Sequence, residues 1–192
     1  MMIEGWFQLF LTMVRNNWNH PSIIMWVVFN EEQGQHDTDS LAAEVKGLDP
    51  TRLLNPASGT TVWGKVHDTK SGDVMDVHIY PGPSSPTPTA ERVAVLGEFG
   101  GLGFPVEGHK WSKNVWGYKN SADPKTWISE YEKLLAKTWE LKDQPGLSGA
   151  IYTQLTDVES EGNGLVTYDR EVIKMDIDRV KAANTGKPPV QP

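Results

Sequence analysis

The feature that most constrains this chain is an unbroken apolar run, Ile23 to Phe29, that stops abruptly at Asn30-Glu31. A short continuous run containing β-branched residues predicts a strand covered on both faces, as in a parallel sheet. A second such run, Val93 to Gly97, also ends in a carboxylate, Glu98. Stretches with helical spacing lie around these runs. Ile3, Trp6, Phe7, Phe10, Met13 and Val14 predict a first helix, and Leu41, Ala42 and Val45 mark a second from Thr38 to Lys46. Asp123-Pro124 places an N-cap before proline at the first helical position. The helix it opens runs to Lys142, with Trp127, Ile128, Tyr131, Leu134, Leu135 and Trp139 on its buried stripe. Arg52 to Asn55, Val74 to Tyr80 and Leu147 to Leu155 read as further strands, and Val172 to Ala183 as a last helix. Residues 185–192 read as a disordered tail. Strands alternating with helices predict an α/β fold on a parallel sheet, and such folds carry their sites at the C-terminal strand ends.

Composition narrows the chemistry. The chain has 192 residues, which suits one domain. A net charge of −7 argues against a nucleic-acid partner. With no cysteine, disulfides, thiolate nucleophiles and thiolate-bound metals are all excluded. No apolar run approaches the roughly 18 residues of a membrane helix, so no membrane partner is expected. No basic segment or small-residue cleavage site precedes the first helix, which is therefore not read as a signal peptide, and the compartment stays open. Eight Trp beside 18 Gly and 13 Pro imply structured loops with aromatic faces, suited to stacking on sugar rings.

If both runs belong to one parallel sheet, Glu31 and Glu98 face one rim. Two carboxylates on one rim suit glycoside transfer, one protonating the leaving oxygen and the other attacking the anomeric carbon or activating water. The same residues also fit solvated acids at helix starts. Asn30 offers an amide to a sugar hydroxyl. Val74, Asp76, His78 and Tyr80 alternate onto one face of their strand, and Tyr80 can donate to Glu98 and favour its charged form. Glu32 would face away from Glu31 if the strand continues that far. Trp111 and Trp116 lie in the long loop after Glu98 and are expected at the rim, as aromatic faces for sugar. His36, His67, His78 and His109 match no metal-ligand spacing, so no metal is expected. There is no phosphate-binding G-x-x-x-x-G-K loop and no G-x-S-x-G elbow, and no cofactor is implied.

Asn19-His20-Pro21-Ser22-Ile23-Ile24-Met25-Trp26 followed by Phe29-Asn30-Glu31 resembles the acid/base signature of glycoside hydrolase family 2, which includes β-galactosidases, β-glucuronidases and β-mannosidases. Leu96-Gly97-Glu98-Phe99-Gly100-Gly101 is similar to its nucleophile strand. Asp76 to Pro81 and Gly149 to Gln154 resemble further strands of its barrel. The resemblance covers nearly the whole chain and implies part of a (β/α)8 TIM barrel, strands four to eight with flanking helices, over residues 1–184. It implies a retaining β-glycosidase with Glu31 as acid/base and Glu98 as nucleophile, Asn30 on the sugar 2-hydroxyl and Tyr80 supporting Glu98. His78, Trp111, Trp116 and Gln154 complete the expected substrate contacts, with Gln154 and Tyr152 standing where many members have Trp at the end of the last strand. Two readings stay beside this one: a sugar-binding fragment without turnover, and an unrelated parallel α/β enzyme. The open edges of such a partial barrel are expected to drive self-association. The residues do not choose among galactoside, glucuronide and mannoside.

Overall fold

The computed structural model describes residues 2–60 and 68–186, apart from the side chains of residues 2–4. His67, one of the histidines weighed above, and residues 187–192 of the expected tail lie outside the described residues. The order of elements is α1 (Met2–Asn17), β1 (Met25–Asn30), α2 (Thr38–Leu48), β2 (Leu53–Ser58), β3 (Val74–Ile79), β4 (Val93–Gly100), β5 (Leu102–Gly103), β6 (Lys119–Asn120), α3 (Pro124–Asp143), β7 (Leu147–Thr153) and α4 (Ile177–Asn184). The chain divides into two compact units: residues 1–78 with 86–95, and residues 79–85 with 96–192.

In the first unit β1 pairs in parallel with β2, Met25 opposite Leu53 and Asn30 opposite Ser58. The face of β1 carrying Trp26 and Val28 is buried in one cluster with Phe7, Leu11 and Val14 of α1 and Ala42 and Val45 of α2. Phe7, Leu11 and Val14 recur at helical spacing, and side chains of this size contribute about 1.5–3 kcal/mol each on burial. The expected double-sided burial of β1 is only partly realised. Val27, on the opposite face, is 39% exposed, while Phe29 on that same face is buried and stacks on Trp6.

The five main strands form two sheets rather than one continuous ladder: β1-β2, and β3-β4-β7, with β5-β6 a short parallel pair. Pro56, in the middle of β2, accounts for the break beside β3. The Leu54 amide turns to the Asp73 carboxylate, while the Asp73 amide donates to the Leu54 carbonyl. Two residues on, Pro56 has no amide to offer. The amide of Val93 donates to Asp73 at the start of β3. In the second unit the Gly101 amide, just past β4, donates to Thr153 at the end of β7. Strand ends thus lie beside strand ends, as in a parallel sheet.

α3 follows the sequence reading closely. Asp123 accepts from the amides of Lys125 and Thr126, and Trp127, Ile128, Tyr131 and Leu135 are buried. Trp139 departs from the expected stripe: it is 39% exposed and its indole N–H donates to the Ala183 carbonyl. The short α4 covers only part of its ring. α4 itself begins at Ile177, later than expected, because Asp176 caps it through the amides of Asp178 and Arg179. The residues before it are held in a turn by Thr167, whose hydroxyl donates to Asp169 while the Thr167 amide donates to the Val172 carbonyl.

Candidate active site

The first unit carries Asn30, Glu31 and His78. β1 ends at Asn30, and Glu31 and Glu32 both adopt left-handed backbone, φ 49° and 65°. The alternation expected for Glu31 and Glu32 therefore does not apply, since a turn has replaced the strand. Left-handed non-glycine residues cost of order 1–3 kcal/mol and gather at functional sites. The turn is held by the Glu31 amide on the Ser58 carbonyl and the Gln33 amide on the Asn30 carbonyl. The Ser58 hydroxyl lies 3.0 Å from Asn30 Oδ1.

The Glu31 carboxylate meets a ring nitrogen of His78: Oε1 lies 2.7 Å from Nδ1. The His78 side chain is 1% exposed and that of Glu31 22%, so the carboxylate is reachable while its partner is not. Gly59, with φ +78°, makes room for the pair, since a Cβ there would stand 2.8 Å from His78 Nδ1 and 3.1 Å from Glu31 Cγ.

The second unit carries Tyr80, Glu98, Trp111, Trp116 and Gln154. The Tyr80 hydroxyl donates to Glu98 Oε2 at 2.5 Å and lies 3.0 Å from Thr153 Oγ1. A phenol has a single hydrogen. With that hydrogen on Glu98, the Thr153 hydroxyl is the donor to the Tyr80 oxygen. Burial first, and the Glu98 carboxylate second, push the Tyr80 hydroxyl far above the usual phenol range, so it stays a donor. Its ring stacks on Tyr118, centroids 3.7 Å apart and planes 4° from parallel, and Trp116 meets Tyr118 edge-on at 5.3 Å. Gly101, φ +61°, permits this stack, because a Cβ would stand 2.4 Å from Tyr118 Cδ2.

Trp116 is thus joined to the Tyr80–Glu98 group through Tyr118. Trp111 instead packs edge-on against Tyr168, at 5.8 Å, and is 63% exposed. The Gln154 side-chain amide donates to Asn163 Oδ1 at 2.8 Å and to Glu161 Oε2 at 3.2 Å. Tyr152 is packed inward against Phe99 and Tyr131. Sequence reasoning missed Tyr118 and Thr153. Thr153 is the terminal residue of β7 and so was reachable by the same strand-end logic that selected the glutamates, whereas Tyr118 lies in a loop with no periodic signal.

Also in the second unit, His109, Asp169 and Glu171 bring ligand atoms within 4.8 Å of one another. His109 Nδ1 and Asp169 Oδ2 stand at hydrogen-bond distance, 2.8 Å, and Glu171 is largely exposed. No helix among the described residues is long and apolar enough to cross a membrane.

A partial α/β fold of parallel strands, with carboxylates near the C-terminal ends of strands and aromatic partners beside one of them, is the architecture of a barrel-type glycosidase domain. The sequence model of the family described as "Glycosyl hydrolases family 2, TIM barrel domain" matches residues 4–182, and the chain belongs to that family. No curated protein matches it. Among solved structures it is similar to an FMN-binding β-glucuronidase from Facaelibacterium prausnitzii L2-6, with 20% identity, a TM-score of 0.59, and 90% of this chain matched to 30% of that one. It is also similar to Bacteroides uniformis β-glucuronidase 2 covalently bound to cyclophellitol-6-carboxylate aziridine, with 18% identity, a TM-score of 0.57, and 88% of this chain on 24% of that one. A β-glucuronidase of Parabacteroides merdae matches at 14% identity with a TM-score of 0.54, covering 88% of this chain and 25% of that one. At these identities the likeness is one of fold, and the chain spans about a quarter to a third of the length of these structures.

Proposed function

We propose that this chain carries the catalytic pair of a retaining β-glycosidase. Glu98 attacks the anomeric carbon and forms a glycosyl-enzyme. Glu31 protonates the departing oxygen, then takes a proton from the water that releases the sugar. The observation that carries this reading is that each carboxylate has a partner suited to its task, Glu31 just past the end of β1 and Glu98 two residues before the end of β4. Tyr80 donates to Glu98, favouring the charged nucleophile. His78 stands at hydrogen-bond distance from Glu31, a group that must exchange a proton. Asn30 is assigned to the sugar 2-hydroxyl, and Trp116, Trp111 and Gln154 to the rim that receives the sugar and its leaving group.

The test is hydrolysis of aryl β-galactosides, β-mannosides and β-glucuronides, with the product anomer followed by NMR. Glucuronides join the panel because the similar structures are named β-glucuronidases. Release of the β-anomer first supports the reading, and release of the α-anomer first overturns it. The second reading, sugar binding without turnover, draws on the exposed rings of Trp111 and Trp116. It predicts a panel sugar that quenches tryptophan fluorescence while no aryl glycoside is cleaved.

Self-association belongs to the same proposal. Ile151 and Leu155, on and just past β7, are 47% and 70% exposed. The second unit also holds a groove of about 900 Å³ lined by Phe99, Leu135, Trp139, Tyr152 and Leu165. Apolar strand surface of this kind favours pairing with a second copy. Light scattering during size-exclusion chromatography should give a mass above the 21.4 kDa of one chain.

A further inference from the structure

Asp76 is a buried acid that the retaining mechanism does not use. It lies two residues before His78 on β3, so both side chains point to one face of the strand. Its side chain is 2% exposed. Burial of an acid this complete requires hydrogen-bond partners, and Asp76 has them. Oδ2 accepts from the Asn55 side-chain amide at 2.9 Å, and Oδ1 from the Gly59 amide at 3.1 Å. Oδ1 also stands 3.3 Å from His78 Nε2. The opposite ring nitrogen, Nδ1, is the one that meets Glu31.

From this arrangement we infer that Asp76 is a positioning residue that fixes the proton of His78 on Nε2, leaving Nδ1 to share a proton with Glu31. The inference rests on the proposed role of Glu31 as acid/base. A carboxylate accepts hydrogen bonds, so the ring nitrogen facing Asp76 must carry hydrogen. In the neutral ring Nδ1 is then a lone pair, able to accept from the protonated Glu31 that acts as acid. Glu31 gives that proton to the leaving group, and the proton it later takes from the attacking water restores the bond to Nδ1. Asp76 touches neither sugar nor reacting atom, and acts through His78. Asn55 and Gly59 hold Asp76 itself, the latter through the backbone of the turn that also clears space for the ring.

The test combines a tautomer measurement with kinetics. Two-bond ¹⁵N–¹H spectra of the full chain, labelled at histidine and recorded at neutral pH, report which ring nitrogen of His78 is protonated. The expected result is hydrogen on Nε2. A His78 ring protonated on Nδ1 alone overturns the inference, and this needs no variant. In Asp76→Ala no acceptor faces Nε2, and the ring should shift toward Nδ1–H while the resonances of His20, His36 and His109 stay in place. An unshifted His78 in that variant also overturns it.

Kinetically, Asp76→Ala should slow a phenyl β-glycoside, which needs acid help, by about ten-fold or more. A 2,4-dinitrophenyl β-glycoside, which needs little, should change by less than about three-fold. Equal losses on both substrates would point to a merely structural role and count against the inference. A chain with Nε2–H at His78 that cleaves no glycoside of the panel would retract the glycosidase reading while leaving the tautomer assignment in force.

Discussion

Replacing Gly100 by alanine should damage the strand end that presents Glu98, and the structure sets the size of the damage. Gly100 has φ +90°, a region where an alanine is strained by about 1–2 kcal/mol. A Cβ there would stand 2.2 Å from Tyr152 Cε2 and 2.5 Å from Cδ2. The tyrosine cannot swing away cheaply. Its ring lies edge-on to Phe99 at 5.8 Å and to Tyr131 at 4.9 Å, and its hydroxyl accepts from the Leu102 amide. Forcing a methyl into packing of this kind costs about 1–3 kcal/mol more. The total is about 2–5 kcal/mol, or some 4–20 °C of melting temperature for a chain of this length. Gly108→Ala is the control. It has nearly the same backbone angle, φ +84°, but nothing lies within 4 Å of its would-be Cβ. It should lose only the strain term, about 1–2 kcal/mol. Urea unfolding of both variants, followed by tryptophan fluorescence, decides the matter. Equal losses at the two positions would refute the claim that Tyr152 is immovable.

Three further outcomes are expected. Tyr80→Phe removes a hydrogen bond to a charged group, worth about 1.5–3 kcal/mol, and should lower kcat/KM for an activated aryl glycoside by about 10- to 100-fold. Glu31→Ala should keep most of its rate of glycosyl-enzyme formation with a dinitrophenyl leaving group, and azide should restore turnover with a β-glycosyl azide as product. Asp49 is the third case: burial acts to raise it, but bonds from Thr51, Trp26 and Arg52 win and hold it at about 2. A depressed carboxyl stabilises the fold above its unfolded value near 3.8, and that contribution disappears as pH falls toward 2. The difference in Tm between wild type and Asp49→Asn should therefore be full at pH 5 and shrink between about pH 4 and pH 2.

Much of the fold was legible because its signals are local. Asp123-Pro124 announced α3, and the run from Ile23 to Phe29 located β1 to within two residues. What escaped was decided by partners distant in sequence. Trp139 sits on the right stripe of α3, yet its indole N–H meets Ala183 of α4, and α4 is eight residues long. Pro56 breaks the ladder beside β3, a consequence visible only once Asp73 and Asp76 are known to face β2. For the candidate site, period-two spacing put Asp76, His78 and Tyr80 on one face of a strand read from Val74 to Tyr80, whereas β3 ends at Ile79. The division of labour among them, Asp76 and His78 toward Glu31 and Tyr80 toward Glu98, needed coordinates. Tyr118 shares a stacked pair with Tyr80 from a loop, where no periodicity operates.

The central claim is that Glu98 forms the bond to sugar. It is tested most directly by incubating the chain with 2,4-dinitrophenyl 2-deoxy-2-fluoro-β-glycosides of the galacto, manno and glucurono series and mapping the adduct by mass spectrometry. The account predicts one fluoroglycosyl group on the peptide containing Glu98, absent from Glu98→Gln. An adduct on any other residue, or β-glycoside hydrolysis with inversion and no adduct, would contradict it.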